Sequence, residues 1–220
     1  MSTISKENYL KAVFNTNYED GVRANTSGLA EKLEVSNAAI SEMAKKLSDE
    51  GLLTYAKYKG MGLTDKGEEL ALQIIRRHRL WELFLIESLG LSWSEVHDEA
   101  EHLEHSTSDF LIDKIDEYLG YPEFDPHGSP IPQKDGSIPE VPESFPLKDA
   151  ETGKRCVVIK VNDSRSDLIH YISRIGIKLR KEVKIIDKLE FDNSVIVEID
   201  GNNHSLSEFV ARNLFVAEVK

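Results

Sequence analysis

Hydrophobic positions in the first fifty residues recur at the spacing of an α-helix. They predict three helices, the first of which begins near Ser5. Thr26 or Ser27 can cap the second helix and Ser36 the third, because their side-chain oxygens accept hydrogen bonds from the first turn. Gly51 is a suitable end for the third helix, since glycine readily adopts the left-handed conformation found after many helices.

The next residues, 52–57 and 61–63, alternate between apolar and polar positions on either side of the turn Tyr58-Lys59-Gly60. This pattern predicts a β-hairpin. Helix, turn, helix and hairpin in this order predict a winged helix-turn-helix over residues 1–66. In this motif the last helix before the hairpin enters the major groove of DNA.

Three further helices are predicted in the middle of the chain, over residues 65–88, from about Ser94, and over residues 108–119. Thr64 can cap the first of them. Their apolar surface is large for the amount of chain around it, which predicts an all-α dimerisation domain over residues 67–143. The alternative is that these apolar faces pack against the segment that follows.

The last third of the chain has a β pattern. All seven prolines fall between Pro122 and Pro146, which predicts a linker over the surface. Hairpin turns are predicted at Asp192-Asn193 and Asp200-Gly201. The predicted elements are strands 156–161, 183–189, 194–199 and 214–219, and a helix 164–175 capped by Asp163 or Ser164. They predict a small β-barrel over residues 144–220, so the fold class is α+β.

The composition is that of a folded chain without a membrane span. Its 220 residues are 40% apolar and 30% charged, and no apolar run is long enough to cross a bilayer. The first ten residues do not have the form of a signal peptide. A single cysteine, Cys156, excludes an internal disulfide and predicts a reducing bacterial cytoplasm. Cys156 lies in a predicted strand and is expected to be a core residue.

The net charge of −12 is concentrated in one segment. Residues 1–80 carry 12 basic and 11 acidic side chains, and residues 144–220 carry 13 and 12. Residues 81–143 carry only 2 basic side chains against 16 acidic ones. Mutual repulsion destabilises such a segment, and bound divalent cations would relieve it. The nearly neutral ends can still carry local basic patches for DNA.

The acidic segment contains histidine and glutamate at helical spacing. Four of them lie at i, i+4, i+7 and i+8, along one stripe of a helix: His97, Glu101, Glu104 and His105. His78 and Glu82 have the same i, i+4 relation upstream. Imidazole and carboxylate are ligands of divalent manganese, iron and zinc. A solvated acidic helix explains either group alone, but the two groups together predict metal binding.

The predicted third helix begins with small and amide side chains, which let its backbone approach the base edges of DNA. Asn37 is expected to read bases, and lysines are expected to contact phosphates. The expected DNA-contacting residues are Thr26, Ser27, Ser36, Asn37, Ala38, Ala39, Ser41, Lys45, Lys46, Lys57 and Lys59. For each lysine, an ordinary surface position is the alternative.

With these elements the chain resembles the diphtheria-toxin-repressor family of metal-dependent transcription regulators, especially its manganese-responsive members. The segments that carry the resemblance are KENYL (6–10), RHRL (77–80), EVHDEAE (95–101), LEH (103–105) and PHG (126–128). The two His/Glu segments in this order are specific, whereas a winged helix alone serves many regulator families. The resemblance implies a winged helix-turn-helix, an all-α dimerisation domain and a small SH3-like barrel of the FeoA type.

The resemblance also implies two metal sites. Glu101, Glu104 and His105 would form the first, together with Asn8 from the first helix. The second would consist of His78, Glu82 and His97, or of Glu82 with residues that reach toward the barrel, which are Asp125, His127 and Asp163.

Two residues depart from the pattern of the family. Asn8 stands where the family has Asp or Met, and it brings an amide oxygen but no charge. Lys11 stands where some manganese-responsive members have Glu, and a protonated lysine cannot bind a metal. A site for two adjacent ions is therefore not expected.

The implied cofactor is Mn(II), with Fe(II) as the second choice, because a carboxylate at Glu101 is a hard ligand. Zn(II) or Co(II) would substitute in vitro. The implied partners are double-stranded operator DNA and a second copy of the chain. Metal would pin the first helix to the dimer core and set the spacing of the two recognition helices. The genes so repressed would be those for metal uptake.

Two other classes of function use the same features. A regulator that senses a small organic ligand would need the same winged helix and dimer helices, and its carboxylates would be incidental. A dinuclear metallohydrolase would use the six His and Glu side chains. However, the sequence shows no separate general base, nucleophile or phosphate loop. A metal-dependent repressor, rather than an enzyme, is the function that the sequence favours.

Overall fold

The computed structural model describes residues 3–19, 21–56, 60–93, 95–162 and 165–219. The chain divides into two compact units. The first comprises Met1–His78, Glu104–Thr107 and Pro132–Ser137, and the second comprises Arg79–Leu103, Ser108–Ile131 and Ile138–Lys220. Some residues named in the sequence analysis lie outside the described residues, namely Lys57, Tyr58, Lys59, Ser94, Asp163 and Ser164.

The first unit has the element order of a winged helix-turn-helix, as predicted. It consists of α1 (Thr3–Phe14), a π-helical turn (Asn15–Glu19), α2 (Thr26–Lys32), α3 (Asn37–Asp49), β1 (Leu53–Ala56), β2 (Gly60–Leu63) and the start of α4 (Asp65–Leu89). β1 and β2 pair antiparallel, with Leu53 opposite Leu63. An isolated antiparallel bridge between Ala24 and Met61 widens this wing.

Side-chain caps fix the helix starts of the first unit. The Ser36 hydroxyl accepts a hydrogen bond from the backbone N–H of Ala39 at 3.2 Å, as predicted. The prediction for α2 was wrong, because Asn25 rather than Thr26 or Ser27 is its N-cap and accepts from the first turn at 3.0 Å. Asparagine caps at least as well as serine or threonine, and the backbone is still extended at residue 25.

Tyr9 connects α1 to α3 and to the wing. Its hydroxyl donates to the carbonyl oxygen of Ile40 at 3.2 Å and lies 2.9 Å from the sulfur of Met61. Burial raises the pKa of Tyr9 above its ordinary value, so the phenol stays a neutral donor. Asn17 makes a second link, since its amide donates to the Met61 carbonyl at 3.0 Å and accepts from the Ala24 N–H at 2.7 Å. These bonds hold α1, α3 and the wing together.

The helical part of the second unit is formed by the end of α4, by α5 (Val96–Glu104) and by α6 (Asp109–Tyr118). Its core joins Leu80 of α4, Ile112 and Ile115 of α6, and Ile131. The prediction of a surface linker was therefore wrong for residues 127–131, which are buried. Proline excludes regular helix but not burial, because this loop satisfies much of its backbone through its own turns.

The rest of the second unit is an antiparallel sheet covered by two helices. The strand order is β3-β8-β4-β5-β6-β7. The elements are β3 (Phe145–Pro146), a 3₁₀ turn (Leu147–Asp149), β4 (Arg155–Val161), α7 (Ser166–Arg174), β5 (Glu182–Leu189), β6 (Ser194–Ile199), β7 (Asn202–Leu206), α8 (Glu208–Asn213) and β8 (Leu214–Glu218). Bulges in the β4–β8 and β5–β6 pairs bend the sheet around one apolar core.

All four predicted strands are present in this sheet, and the predicted hairpin turn at Asp200-Gly201 joins β6 to β7. The bounds of β7 were not predicted, and neither were β3 and α8. β7 carries only one buried side chain, Leu206, so no apolar alternation marks it in the sequence. Cys156 lies in the core as predicted, and burial raises the pKa of its thiol. A helix long and apolar enough to cross a membrane does not occur among the described residues.

Candidate metal centres

Three of the expected ligands meet in the first unit, and we call their cluster the first centre. One carboxylate oxygen of Glu104 (Oε2) lies 2.6 Å from Nδ1 of His78, and the other (Oε1) lies 3.3 Å from Nε2 of His105. All three side chains are nearly or fully buried. Glu101 lies one turn before Glu104 on α5. The two residues therefore share one side of that helix.

Helix α1 forms another wall of the first centre. Oε2 of Glu7 lies 2.6 Å from Nδ1 of His105. An ionised carboxylate can only accept a hydrogen bond, so Nδ1 donates and Nε2 turns its lone pair toward Glu104. Histidines that bind metals usually donate their other ring N–H to such a partner, which fixes the ring orientation. Glu7 therefore prepares His105 to bind a cation.

Lys11 lies one turn after Glu7 on the same face of α1. Its ammonium nitrogen is 2.8 Å from Oε2 of Glu104 and 3.1 Å from Nδ1 of His78. The Lys11 side chain is only 12% exposed, so solvent screens this ion pair weakly. Asn8 lies beside this face, since it follows Glu7 by one residue and precedes Lys11 by three.

Several buried ligand atoms of the first centre have no hydrogen-bond partner among the described residues. They are Oδ1 of Asn8, Oε1 of Glu104 and Nε2 of His105. A buried polar group left without a partner costs about 1–3 kcal/mol. One divalent cation would satisfy the Glu104 oxygen and the His105 nitrogen, which lie 3.3 Å apart, and a set of oxygens with one imidazole suits Mn(II), Fe(II) or Zn(II). These residues therefore fit a bound metal.

A second cluster, which we call the second centre, lies within the second unit. Oε1 of Glu82 lies 3.3 Å from Nδ1 of His97 and 3.7 Å from Nε2 of His127. Glu82 and His127 are fully buried, and neither ring nitrogen of His127 has a hydrogen-bond partner among the described residues. Trp93 stacks on His127 with 5.0 Å between the ring centroids. A buried imidazole without hydrogen bonds has the chemistry of a metal ligand.

Asp125, which was expected to be a ligand of this cluster, holds its own loop through one carboxylate oxygen. Its Oδ1 accepts from the backbone N–H groups of His127 at 2.8 Å and Ser129 at 2.9 Å. Its Oδ2 lies 3.4 Å from the guanidinium Nε of Arg79. The carbonyl of His127 in turn accepts from the Val161 N–H at 2.9 Å, which ties the loop to β4. In this geometry Asp125 positions His127.

The residues expected to contact DNA lie at the start of α2 and along α3. The exposed ones are Ser27, Ser36, Asn37, Ala38, Lys45 and Lys46, and the half-buried ones are Thr26, Ala39 and Ser41. The Ser41 hydroxyl donates to the carbonyl of Asn37 at 2.9 Å, within its own helix. This bond uses only the backbone of Asn37, whose side-chain amide is exposed at the start of α3.

Arg23 is an exposed cation on the wing that the sequence pattern did not reveal. Its side chain lies across two glycines of β2. A Cβ built on Gly60 would lie 2.6 Å from Arg23 Cγ, and one built on Gly62 would lie 3.4 Å from Arg23 Nη2. The bare backbone of β2 thus leaves room for a guanidinium beside the wing. Hydrophobic periodicity carries no signal for such a residue.

Three family models together match nearly the whole chain. They are the N-terminal DNA-binding domain of iron-dependent repressors at residues 1–61, their metal-binding and dimerisation domain at residues 64–133, and the FeoA domain at residues 145–218. A solved structure of a manganese-dependent transcriptional repressor in complex with manganese superposes with a TM-score of 0.90. It is 36% identical and covers 97% of this chain and 100% of that chain. The chain belongs to the diphtheria toxin repressor family.

Two curated members of this family show how far the similarity extends. The diphtheria toxin repressor of Corynebacterium diphtheriae is 28% identical over 222 residues, which covers 97% of this chain and 96% of that protein. The iron-dependent repressor IdeR of Mycobacterium tuberculosis is 36% identical over 126 residues, or 57% of this chain. That match spans 54% of the length of IdeR. The family consists of transcriptional repressors and not of enzymes, and the alternative readings receive no support.

Glu7 is the residue of the first centre that sequence reasoning missed for this member of the diphtheria toxin repressor family. Its partner His105 is 98 residues away in the chain, so no local spacing connects them. A weak signal is present in the sequence, because Glu7, Asn8 and Lys11 share one side of α1. Lys11 was noted as unable to bind metal, but its contacts with Glu104 and His78 could not be foreseen.

Proposed function

We propose that this chain is a metal-activated repressor that binds operator DNA as a homodimer, with Mn(II) as its activating ion and Fe(II) as the alternative. The main support is the set of buried ligand atoms without hydrogen-bond partners in the first centre. Glu104 and His105 supply two of these atoms, and Asn8 on α1 supplies the third. A single cation held there would join α1 to the end of α5.

The position of α1 bears directly on DNA binding. Tyr9, the neighbour of Asn8, is hydrogen-bonded to Ile40 near the start of α3 and contacts Met61 in the wing. A change in α1 is therefore transmitted to both DNA-binding elements. The bound ion supplies positive charge to the acidic wall formed by Glu7 and Glu104. Since binding free energies are linked, DNA must raise metal affinity by the same factor as metal raises DNA affinity.

We assign the proposed ligands by centre. The first centre uses Asn8, Glu101, Glu104 and His105, with His78 at its edge. The second uses Glu82, His97 and His127, with Asp163 as a further candidate and Asp125 as the residue that positions His127. Carboxylate and amide oxygens together with imidazole are harder ligands than thiolates are. This ligand set therefore supports Mn(II) or Fe(II). Zn(II) and Co(II) would bind the same set in vitro.

Exposed apolar side chains on the helical part of the second unit support a dimer. Phe110 is 74% exposed and Tyr118 is 70% exposed, which is unusual for aromatic residues of a monomer. Two copies joined there would present two α3 helices to a palindromic operator. We propose that the starts of α2 and α3 and the wing lysines contact this DNA. The regulated genes would be those for metal uptake, and the site of action the bacterial cytoplasm.

The test is DNA binding with and without Mn(II). Duplexes of random sequence would be selected on Mn(II)-loaded protein, and the affinity for the selected operator measured by fluorescence anisotropy. Glu104→Gln removes a charge from the first centre, and Glu50→Gln, which removes an exposed carboxylate paired with Lys6, is the matched control. We expect Mn(II) to raise the affinity of wild type and Glu50→Gln by about tenfold or more, but not that of Glu104→Gln.

Equal operator affinity of chelator-stripped and Mn(II)-reloaded wild-type protein would contradict the proposal. An equal response to Mn(II) in wild type and Glu104→Gln would contradict the assignment of the first centre. Circular dichroism of each variant before the titration establishes that its fold is retained.

A further inference from the structure

The side chain of Asn17 contacts both residues of the isolated bridge that widens the wing. In this bridge the backbone N–H of Met61 donates to the carbonyl oxygen of Ala24 at 2.9 Å. The Ala24 N–H donates to Oδ1 of Asn17 at 2.7 Å, and Nδ2 of Asn17 donates to the Met61 carbonyl oxygen at 3.0 Å. Ala24 and Met61 are fully buried, so these bonds are shielded from water. The amide of Asn17 therefore holds the two segments of the bridge in one register.

The chemistry of this contact calls for a carboxamide. A backbone N–H can only donate and a carbonyl oxygen can only accept, and the two ends of the amide meet both needs at once. A carboxylate would still accept from Ala24, but it would repel the Met61 carbonyl oxygen. Asn17 lies in the π-helical turn Asn15–Glu19 that follows α1. Such turns are rare and are frequently found at functional sites.

The bridge also determines where the side chain of Arg23 lies. Arg23 directly precedes Ala24, is exposed, and lies across the bare backbone of Gly60 and Gly62, the two neighbours of Met61. Because Asn17 fixes the register of Ala24 on Met61, it also fixes the position of this guanidinium beside the wing. An exposed arginine held in place on a DNA-binding unit is suited to contact a phosphate.

We propose that Asn17 is a positioning residue for DNA binding, which holds Arg23 against the wing for a phosphate contact and makes that contact depend on α1. The inference deepens the proposed function, since it names a residue that ties the wing backbone to α1. Helix α3 depends on a different link, the hydrogen bond from Tyr9 to the Ile40 carbonyl oxygen. Loss of the Asn17 amide therefore affects the phosphate contact and leaves base reading by α3 in place.

The same turn provides a matched control for the experiment. Asn17→Leu keeps the approximate size of the side chain and removes both hydrogen bonds. Thr16→Val removes a hydrogen bond that stays within the helix, because the Thr16 hydroxyl donates to the Ala12 carbonyl oxygen at 2.8 Å. Asn17→Asp, which keeps only the bond from the Ala24 N–H, replaces the leucine variant if that variant does not fold.

The experiment measures the slope of log operator affinity against log salt concentration on Mn(II)-loaded protein, by fluorescence anisotropy with the selected operator. We expect Asn17→Leu and Arg23→Gln each to lower the slope by about one per half-site, the value of one lost phosphate contact. The double variant is expected to lower it no further, because both substitutions remove the same contact. Thr16→Val is expected to keep the wild-type slope. The ratio of operator to random-duplex affinity is expected to stay that of wild type in all variants, since phosphate contacts act uniformly across sequences.

A merely structural role for Asn17 predicts a different result. A weakened fold would leave the Arg23 contact intact in the molecules that remain folded, so Arg23→Gln would have its full effect in either background. That result overturns the proposal, as does a wild-type slope in Arg23→Gln alone or in the folded Asn17 variant, or an equal loss in Thr16→Val. Failure of Mn(II) to activate wild type would instead contradict the proposed function, and the slopes of the variants could still be compared without the metal.

Discussion

Replacing Glu7 with glutamine is expected to weaken Mn(II) binding at the first centre without removing a ligand. Oε2 of Glu7 lies 2.6 Å from Nδ1 of His105 and sets the direction of the Nε2 lone pair. Glutamine keeps the size of the side chain and can still accept a hydrogen bond from Nδ1. It loses the negative charge that makes the Nε2 lone pair a stronger ligand for a metal ion. The effect therefore isolates the electrostatic contribution of this outer residue.

The magnitude follows from the exposure of Glu7. Outer partners of metal-binding histidines typically contribute about 10–100-fold in metal affinity. The Glu7 side chain is 21% exposed, so solvent reduces its field, and the lower end of that range applies. We expect a loss of about tenfold, equivalent to about 1.4 kcal/mol.

Isothermal titration of chelator-stripped protein with Mn(II) measures this loss. Glu50→Gln serves as the control, because it removes an exposed carboxylate far along the chain from His105. The expected result is a weaker first-centre affinity for Glu7→Gln only, with the number of ions unchanged. If Glu7→Gln bound Mn(II) as tightly as wild type, the argument that Glu7 prepares His105 would be refuted.

Three further predictions concern the wing and the second centre. Arg23→Gln should lower the slope of log operator affinity against log salt by about one per half-site, with Mn(II) affinity unchanged; an unaltered slope would exclude a phosphate contact. Gly128→Ala should destabilise the fold in urea by about 1–3 kcal/mol more than Gly153→Ala. Both glycines have positive φ, but only at Gly128 would the new Cβ lie 2.2 Å from the Ile159 carbonyl oxygen; equal stabilities would contradict this reasoning. His127→Ala should bind one Mn(II) fewer per chain, and a full complement in elemental analysis would remove His127 from the second centre.

The parts of the molecule that sequence reasoning predicted well depend on short-range geometry. The three helices and hairpin of the winged helix follow from apolar spacing and from caps such as Ser36. Glu101, Glu104 and His105 share a face because a helix has a fixed period. The family resemblance then supplied the prediction that Asn8 joins them, which spacing alone could not provide.

The parts that were missed depend on contacts between distant segments. Residues 127–131 are buried, and Ile131 belongs to an apolar core, although the prolines in and around this stretch suggested a surface linker. Asp125 was expected to bind metal because of its type and position. That its oxygens also face two backbone amides and Arg79 is revealed only by the folded loop, and its role as a ligand stays a prediction. The position of the Arg23 side chain depends on Gly60 and Gly62, two glycines of β2 that are distant from it in the sequence.

The most direct test of the central claim is the Mn(II) affinity of stripped protein in the presence and absence of saturating operator DNA. If metal at the first centre and DNA at α3 are coupled through α1, operator DNA must raise the Mn(II) affinity by the same factor by which Mn(II) raises operator affinity. We predict matching factors of about tenfold or more for wild type. An Mn(II) affinity that does not change when operator DNA is added would contradict the account.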